Sequence, residues 1–138
     1  MSQDSQKLFA QFPKLFDLQG QNPVSAYGIE IFETSKGWTN LVFELCGELQ
    51  EYVNLSGCRQ VKILTLKSKF ASLRCYLGNF PSEVGYAGDI QNIINKYVEL
   101  SFKTCESCGT SDPKAKVTQN KTNWILTLCE SCRKPSKT

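Results

Sequence analysis

Two C-x-x-C pairs near the end of the chain, Cys105-Glu106-Ser107-Cys108 and Cys129-Glu130-Ser131-Cys132, constrain the fold more than any other feature. Twenty residues separate them. This is the spacing of a four-thiolate zinc site, in which each short turn supplies two sulfurs at the right bite. The expected ligands are Cys105, Cys108, Cys129 and Cys132. With every position taken by protein, no place is left for water or substrate, so the expected Zn2+ is structural and not catalytic. A redox dithiol or an iron–sulfur cluster is the alternative use of the same thiols.

Charge is divided unevenly around this feature. Residues 1–102 carry nine basic and ten acidic side chains, and residues 103–138 carry seven and three. A tetrathiolate zinc is itself negative by about two charges, so some of those lysines serve to offset the site. Nucleic acid is a permitted partner, not an implied one. The chain has no histidine, which removes the usual base partner of a cysteine or serine nucleophile and any imidazole metal ligand. No glycine-rich phosphate loop is present, and Glu30, Glu33 and Glu44 have nothing that fixes them as a catalytic pair. The expectation is a protein that is not an enzyme.

No apolar run is long enough to span a bilayer, and Met1-Ser2-Gln3-Asp4 lacks the basic and hydrophobic regions of a secretory signal. The expected setting is the cytoplasm, with no membrane partner. In that reducing compartment seven cysteines point to metal or free thiols over disulfides. Of the three outside the pairs, Cys46 and Cys75 fall on apolar faces and read as small core residues. Cys58, after Gly57 in a turn, is the one expected to be exposed.

Hydrophobic periodicity supplies the rest of the architecture. Leu8, Phe9, Phe12, Leu15 and Phe16 recur at helical spacing, bent at Pro13. Tyr27 to Phe32 alternates and reads as a strand. From Trp38 the period lengthens, and Trp38, Leu41, Val42, Leu45, Cys46, Leu49, Tyr52 and Val53 form one stripe of a long amphipathic helix closed by Asn54 to Gly57. Val61 to Leu66 and Ser72 to Leu77 read as an antiparallel pair joined through 67–71. Residues 79–88 read as a loop, after which Asp89 caps a second helix with Ile90, Ile93, Ile94, Tyr97 and Val98 inward. Ala115 to Gln119 and Asn123 to Leu128 form the short hairpin of a ribbon. The fold class expected is α+β: a small antiparallel sheet packed against two amphipathic helices, with a C-terminal four-cysteine zinc ribbon. The domain limits are 1–102 for the α+β part, 103–134 for the ribbon and 135–138 for a flexible tail.

Basic and aromatic side chains interleave in two places. Lys67, Lys69, Phe70, Arg74 and Tyr76, with Lys62, lie around the central hairpin. Lys116 and Lys121, with Lys114 and Trp124, lie on the ribbon. Such sets suit phosphate neutralisation and base stacking. The same residues also suit the solvated side of a half-covered sheet, where lysine routinely points outward.

Several pieces, in order, carry a resemblance. They are Phe12-Pro13-Lys14-Leu15-Phe16, Gly37-Trp38 followed by Leu45-Cys46, the stretch Lys67-Ser68-Lys69-Phe70-Ala71-Ser72-Leu73-Arg74-Cys75-Tyr76, then Thr104 to Gly109 and Trp124 to Cys132. Together they resemble a family of small uncharacterised proteins common in phages, prophages and bacterial genomes. The chain departs from it at Ala71, where glycine is usual, and at Ser68, where an acidic residue is usual. The resemblance implies a mobile-element setting in which small accessory proteins bind and redirect host or competitor machinery. The expected function is a zinc-stabilised protein–protein adaptor or inhibitor, of anti-defence type, with a host or competitor protein as partner. The alternative is a nucleic-acid-binding protein that uses the hairpin and the ribbon.

Overall fold

The long stripe beginning at Leu41 does what its period requires. In a computed structural model of the chain, which describes residues 3–16, 31–119 and 126–133, Leu41, Val42, Leu45, Cys46, Leu49 and Val53 are buried along one helix, Thr39–Ser56. In chain order the described helices before it are α1 (Gln3–Gln11), α2 (Pro13–Phe16) and α3 (Ile31–Thr34), and Thr39–Ser56 is α4. A 3-10 turn, Lys36–Trp38, leads into α4. Gly57 closes it in a left-handed conformation, φ 77°, with its N–H on Val53 O, the usual glycine stop.

Pro13 separates α1 from α2 as expected, and stands first in α2, where a missing N–H costs nothing. Leu8, Phe9, Leu15 and Phe16 are buried, with the Phe9 and Phe16 rings tilted at 4.9 Å. The expected strand at 27–32 is corrected at its end: Ile31 and Phe32 are buried in the helical turn α3, and 27–30 lie outside the described residues. Two adjacent buried apolar side chains fit one helical turn as well as a strand end, so alternation over so short a run misleads.

The sheet is the hairpin β1 (Lys62–Lys69) and β2 (Ser72–Gly78), paired antiparallel with Leu66 opposite Cys75, Lys67 opposite Arg74 and Lys69 opposite Ser72. A bulge between Ile63 and Thr65 leaves Leu64 exposed. The strands run further than their apolar patterns and leave a two-residue turn, Phe70 and Ala71. Both have positive φ, 53° and 64°, which is the type I′ signature that matches strand twist. On the inner face Ile63, Leu66, Leu73 and Cys75 are buried, against α2 and α3 from β1 and against α5 (Val84–Ser101) from β2.

α5 starts six residues earlier than expected, with Glu83 at its cap position. Asp89 does not cap it but lies inside it, where its carboxylate accepts from Tyr52 Oη of α4 at 2.7 Å. The Tyr86 hydroxyl donates to Ser56 O, so packing on α4 extends a helix through Gly85 and Gly88 against their propensity. Cys58 is also corrected: it is buried with the core, because the chain turns inward towards Val61 directly after the helix cap. Among the described residues no helix is long and apolar enough to cross a membrane.

Candidate metal centre

The C-terminal part opens with the first cysteine turn and closes with α6 (Glu130–Arg133). Its strands β3 (Thr118–Gln119) and β4 (Thr127–Leu128) pair antiparallel. β3 is shorter than expected, because Ala115 belongs to a 3-10 turn, Pro113–Ala115, capped by Asp112, and 123–125 of the other expected run lie outside the described residues. Such a short ladder cannot hold a fold by itself.

What it does is bring the two cysteine turns together. The sulfurs of Cys105, Cys108, Cys129 and Cys132 all lie within 4.8 Å of one another. Cys108 Sγ and Cys129 Sγ are 3.7 Å apart, and all four thiols are free. A regular tetrahedron with metal–sulfur bonds of about 2.3 Å has edges of about 3.8 Å. The four can therefore hold one metal ion. Cys105 Sγ also accepts from the amides of Ser107 at 3.4 Å and Cys108 at 3.5 Å, which supports negative charge on that sulfur.

The thiols differ in acidity. Burial raises the Cys105 thiol, but the amides of Cys108, Cys129 and Ser107 outweigh it and bring it down to about 7. Burial and the neighbouring thiols push Cys132 up to about 12, against a Ser107 hydrogen bond. At Cys108 the Thr110 amide lowers the thiol, yet burial with Cys129 and Cys105 leaves it raised. Four thiolates this close need a cation to coexist.

A second constellation, which the sequence did not disclose, attaches this centre to the core. Glu106, inside the first cysteine turn, is buried. One carboxylate oxygen accepts from Ser35 Oγ at 2.6 Å and the other from the Thr127 amide at 2.6 Å. Its own amide donates to Thr127 O at 2.8 Å, and its carbonyl accepts from Gly37 N–H at 2.7 Å. Trp38, fully buried, donates from Nε1 to Thr104 O at 2.7 Å. Gly37 is needed for this approach: a Cβ there would lie 2.1 Å from Cys105 O and 2.7 Å from Gly109 N. Glu130 stands at the same place in the second C-E-S-C and is exposed.

The expected binding residues divide. Lys67, Lys69, Arg74 and Tyr76 share the outer side of the hairpin by their register, with Phe70 at its tip. Phe70 and Tyr76 are exposed, while Lys67 and Arg74 are half-buried. Lys116 is exposed in the turn after Pro113–Ala115, where its backbone contacts are to Pro113 and Arg133, so nothing joins it to the hairpin. Lys121 and Trp124 lie outside the described residues. Among the described residues, ribbon and hairpin are joined by the bond from Thr127 Oγ1 to Ala71 O at 2.8 Å. Beside Cys108 a cavity of about 580 Å3 opens, with Lys36, Lys103 and Glu44 in its lining; it carries both signs of charge.

Cys46 and Cys75 are core residues as expected. Burial pushes both thiols up, Cys75 to about 12, and Cys46 further aided by Cys75. Neither is a nucleophile near neutral pH. Comparison of the chain with family models, with curated proteins and with solved structures returned no match.

Proposed function

We propose that this chain is a non-enzymatic, zinc-stabilised binding protein whose working surface is the β1–β2 hairpin. The observation that carries the reading is the Thr127 to Ala71 hydrogen bond. Thr127 sits two residues before Cys129 and is clamped by Glu106, so the metal centre and the hairpin tip share one hydrogen-bonded junction. Zinc is the ion of choice because four sulfur donors at tetrahedral spacing, with no histidine in the chain, leave it fully coordinated. A closed metal site and buried, weakly acidic core thiols speak for binding over catalysis.

Two partner classes compete. An adaptor or inhibitor acting on a host or competitor protein follows from the phage-type resemblance alone. A specific observation favours nucleic acid. Between Asn54 and Ser82 there is no acidic residue, while Arg59, Lys62, Lys67, Lys69 and Arg74 are basic. The acidic side chains Glu44, Glu48, Glu51, Asp89 and Glu99 lie on α4 and α5. The near-neutral N-terminal total therefore conceals a separation of charge, with the basic side on the hairpin.

The reading is tested by metal analysis with amide exchange. About one zinc per chain is expected. Chelation is expected to speed exchange at Gly37, Glu106, Thr127 and the hairpin around Ala71, while Leu45 to Val53 stay protected. An unchanged hairpin after complete zinc loss would overturn it.

A further inference from the structure

We infer that the outer side of the hairpin binds single-stranded nucleic acid, with Lys67, Lys69 and Arg74 on the phosphates and Phe70 and Tyr76 stacked on bases. The inference rests on the hairpin being the working surface. Three features of that surface point to a ligand, and the first two are unfavourable to the free protein.

The first is charge. Lys67 stands directly across from Arg74, and like charges in that position repel. Among the described residues neither has a carboxylate within ion-pair distance, unlike Lys96, which pairs with Glu48. Arg74 Nε is buried without an acceptor. An anion brought to this pair would relieve the repulsion.

The second is the tip. Phe70 is 66% exposed in a left-handed backbone conformation that favours asparagine or glycine and opposes an aromatic side chain. An aromatic ring held in water at a strained position is a candidate contact, with Lys69 Nζ 5.6 Å from its centroid. Strain of this kind concentrates at functional sites.

The third is order along the face. From the tip the sequence of rungs is Phe70, then Lys69 with Ser72, then Lys67 with Arg74, then Thr65 with Tyr76. Cations thus lie between two aromatics over roughly 20 Å, at about 3.4 Å per residue. This alternation matches a strand whose phosphates and bases diverge, as in single-strand grooves. A duplex hides the faces of its bases, and an acidic peptide would need the cations but not the rings.

The test is fluorescence anisotropy of the zinc-loaded full chain with labelled oligothymidylate and oligouridylate of about twelve nucleotides, the matching duplex, and polyglutamate as competitor. The single strands are expected to bind at least about tenfold tighter than the duplex, because only they offer base faces for stacking. A slope of log affinity on log salt near −2 is expected for three phosphate contacts, at about −0.7 each. Phe70→Asn, which suits the turn better, should keep or raise the melting temperature and weaken binding about five- to a hundredfold. Lys67→Ala and Lys69→Ala should each make the slope shallower by about 0.7.

Equal or tighter binding of the duplex would overturn the inference, as would unchanged affinity in Phe70→Asn. Polyglutamate displacing the strands at equal charge concentration would overturn it in favour of an acidic protein partner. No binding at about 50 mM salt would overturn it outright. Exchange at the hairpin tip on chelation then separates this failure from failure of the hairpin as a zinc-held surface.

Discussion

The Gly37 amide donates to the Glu106 carbonyl at 2.7 Å, across a gap too narrow for any side chain at position 37. The 3-10 turn that leads into α4 and the first cysteine turn are thus in backbone contact. Gly37→Ala must push one of them away, and neither neighbour is a flexible side-chain end. Overpacking usually costs about 1–3 kcal/mol, and the upper end is expected here. Thermal unfolding gives the size. Exchange at Glu106 and Thr127 shows whether the metal part is released locally.

Glu106 is expected to contribute more to the junction than any other polar side chain. Hydrogen bonds to charged groups contribute about 1.5–3 kcal/mol each, and Glu106 makes two, to Ser35 and Thr127. Glu106→Ala should destabilise by about 3–5 kcal/mol. Glu106→Gln should cost somewhat less, because its carbonyl keeps one of the two bonds even though its NH2 group would face a donor. Glu130→Ala, at the equivalent place in the second motif, should stay within about 0.5 kcal/mol of wild type since Glu130 is exposed. Chemical denaturation of the zinc-loaded chain checks all three.

The turn at Phe70 and Ala71 is under strain that can be relieved. Phe70→Asn should stabilise by about 1 kcal/mol. Ala71→Gly relieves similar strain but gives up a fully buried methyl, a loss of about 0.8 kcal/mol, so its net effect should be near zero. Denaturant midpoints for the two variants should differ accordingly.

Glu48 joins the two long helices. Lys96 Nζ donates to it at 2.6 Å and Tyr97 Oη at 2.8 Å. The Lys96 bond, aided by Tyr97 and opposed by burial, holds its carboxyl below the ordinary 4.5. In acid the unfolded chain therefore binds this proton more readily than the folded one. The contribution is complete above pH 4.5 and is lost as pH falls through the lower folded value. It is small, because both partners are partly solvated. Stability of Glu48→Gln should decline less steeply below pH 4.5 than that of wild type, as followed by denaturant titration at several pH values.

Much of the frame was legible in the residues. The stripe from Leu41 to Val53 specified α4, because 3.6-residue periodicity sustained over four turns has no other reading. The alternation of Leu73, Cys75 and Leu77 specified β2, and the two C-x-x-C pairs specified which thiols meet. Less regular signals misled. Gly85 and Gly88 disguised the first turn of α5, and Gly57 suggested exposure for a cysteine that folds inward.

The four candidate metal ligands, the long helices and the hairpin are each written in local spacing that short-range geometry must obey. Which of two identical C-E-S-C turns faces the core was settled by long-range packing. Glu106 is buried between Ser35 and Thr127 while Glu130 lies in water, and nothing within either motif distinguishes them. The difference arises from partners 71 and 21 residues away, brought close by packing. The same holds for Lys67 and Arg74, whose opposition depends on register, and for Thr127 and Ala71, whose bond links the metal centre to the hairpin. Long-range contacts of this kind are set by the shape of the packed core, which no local spacing encodes.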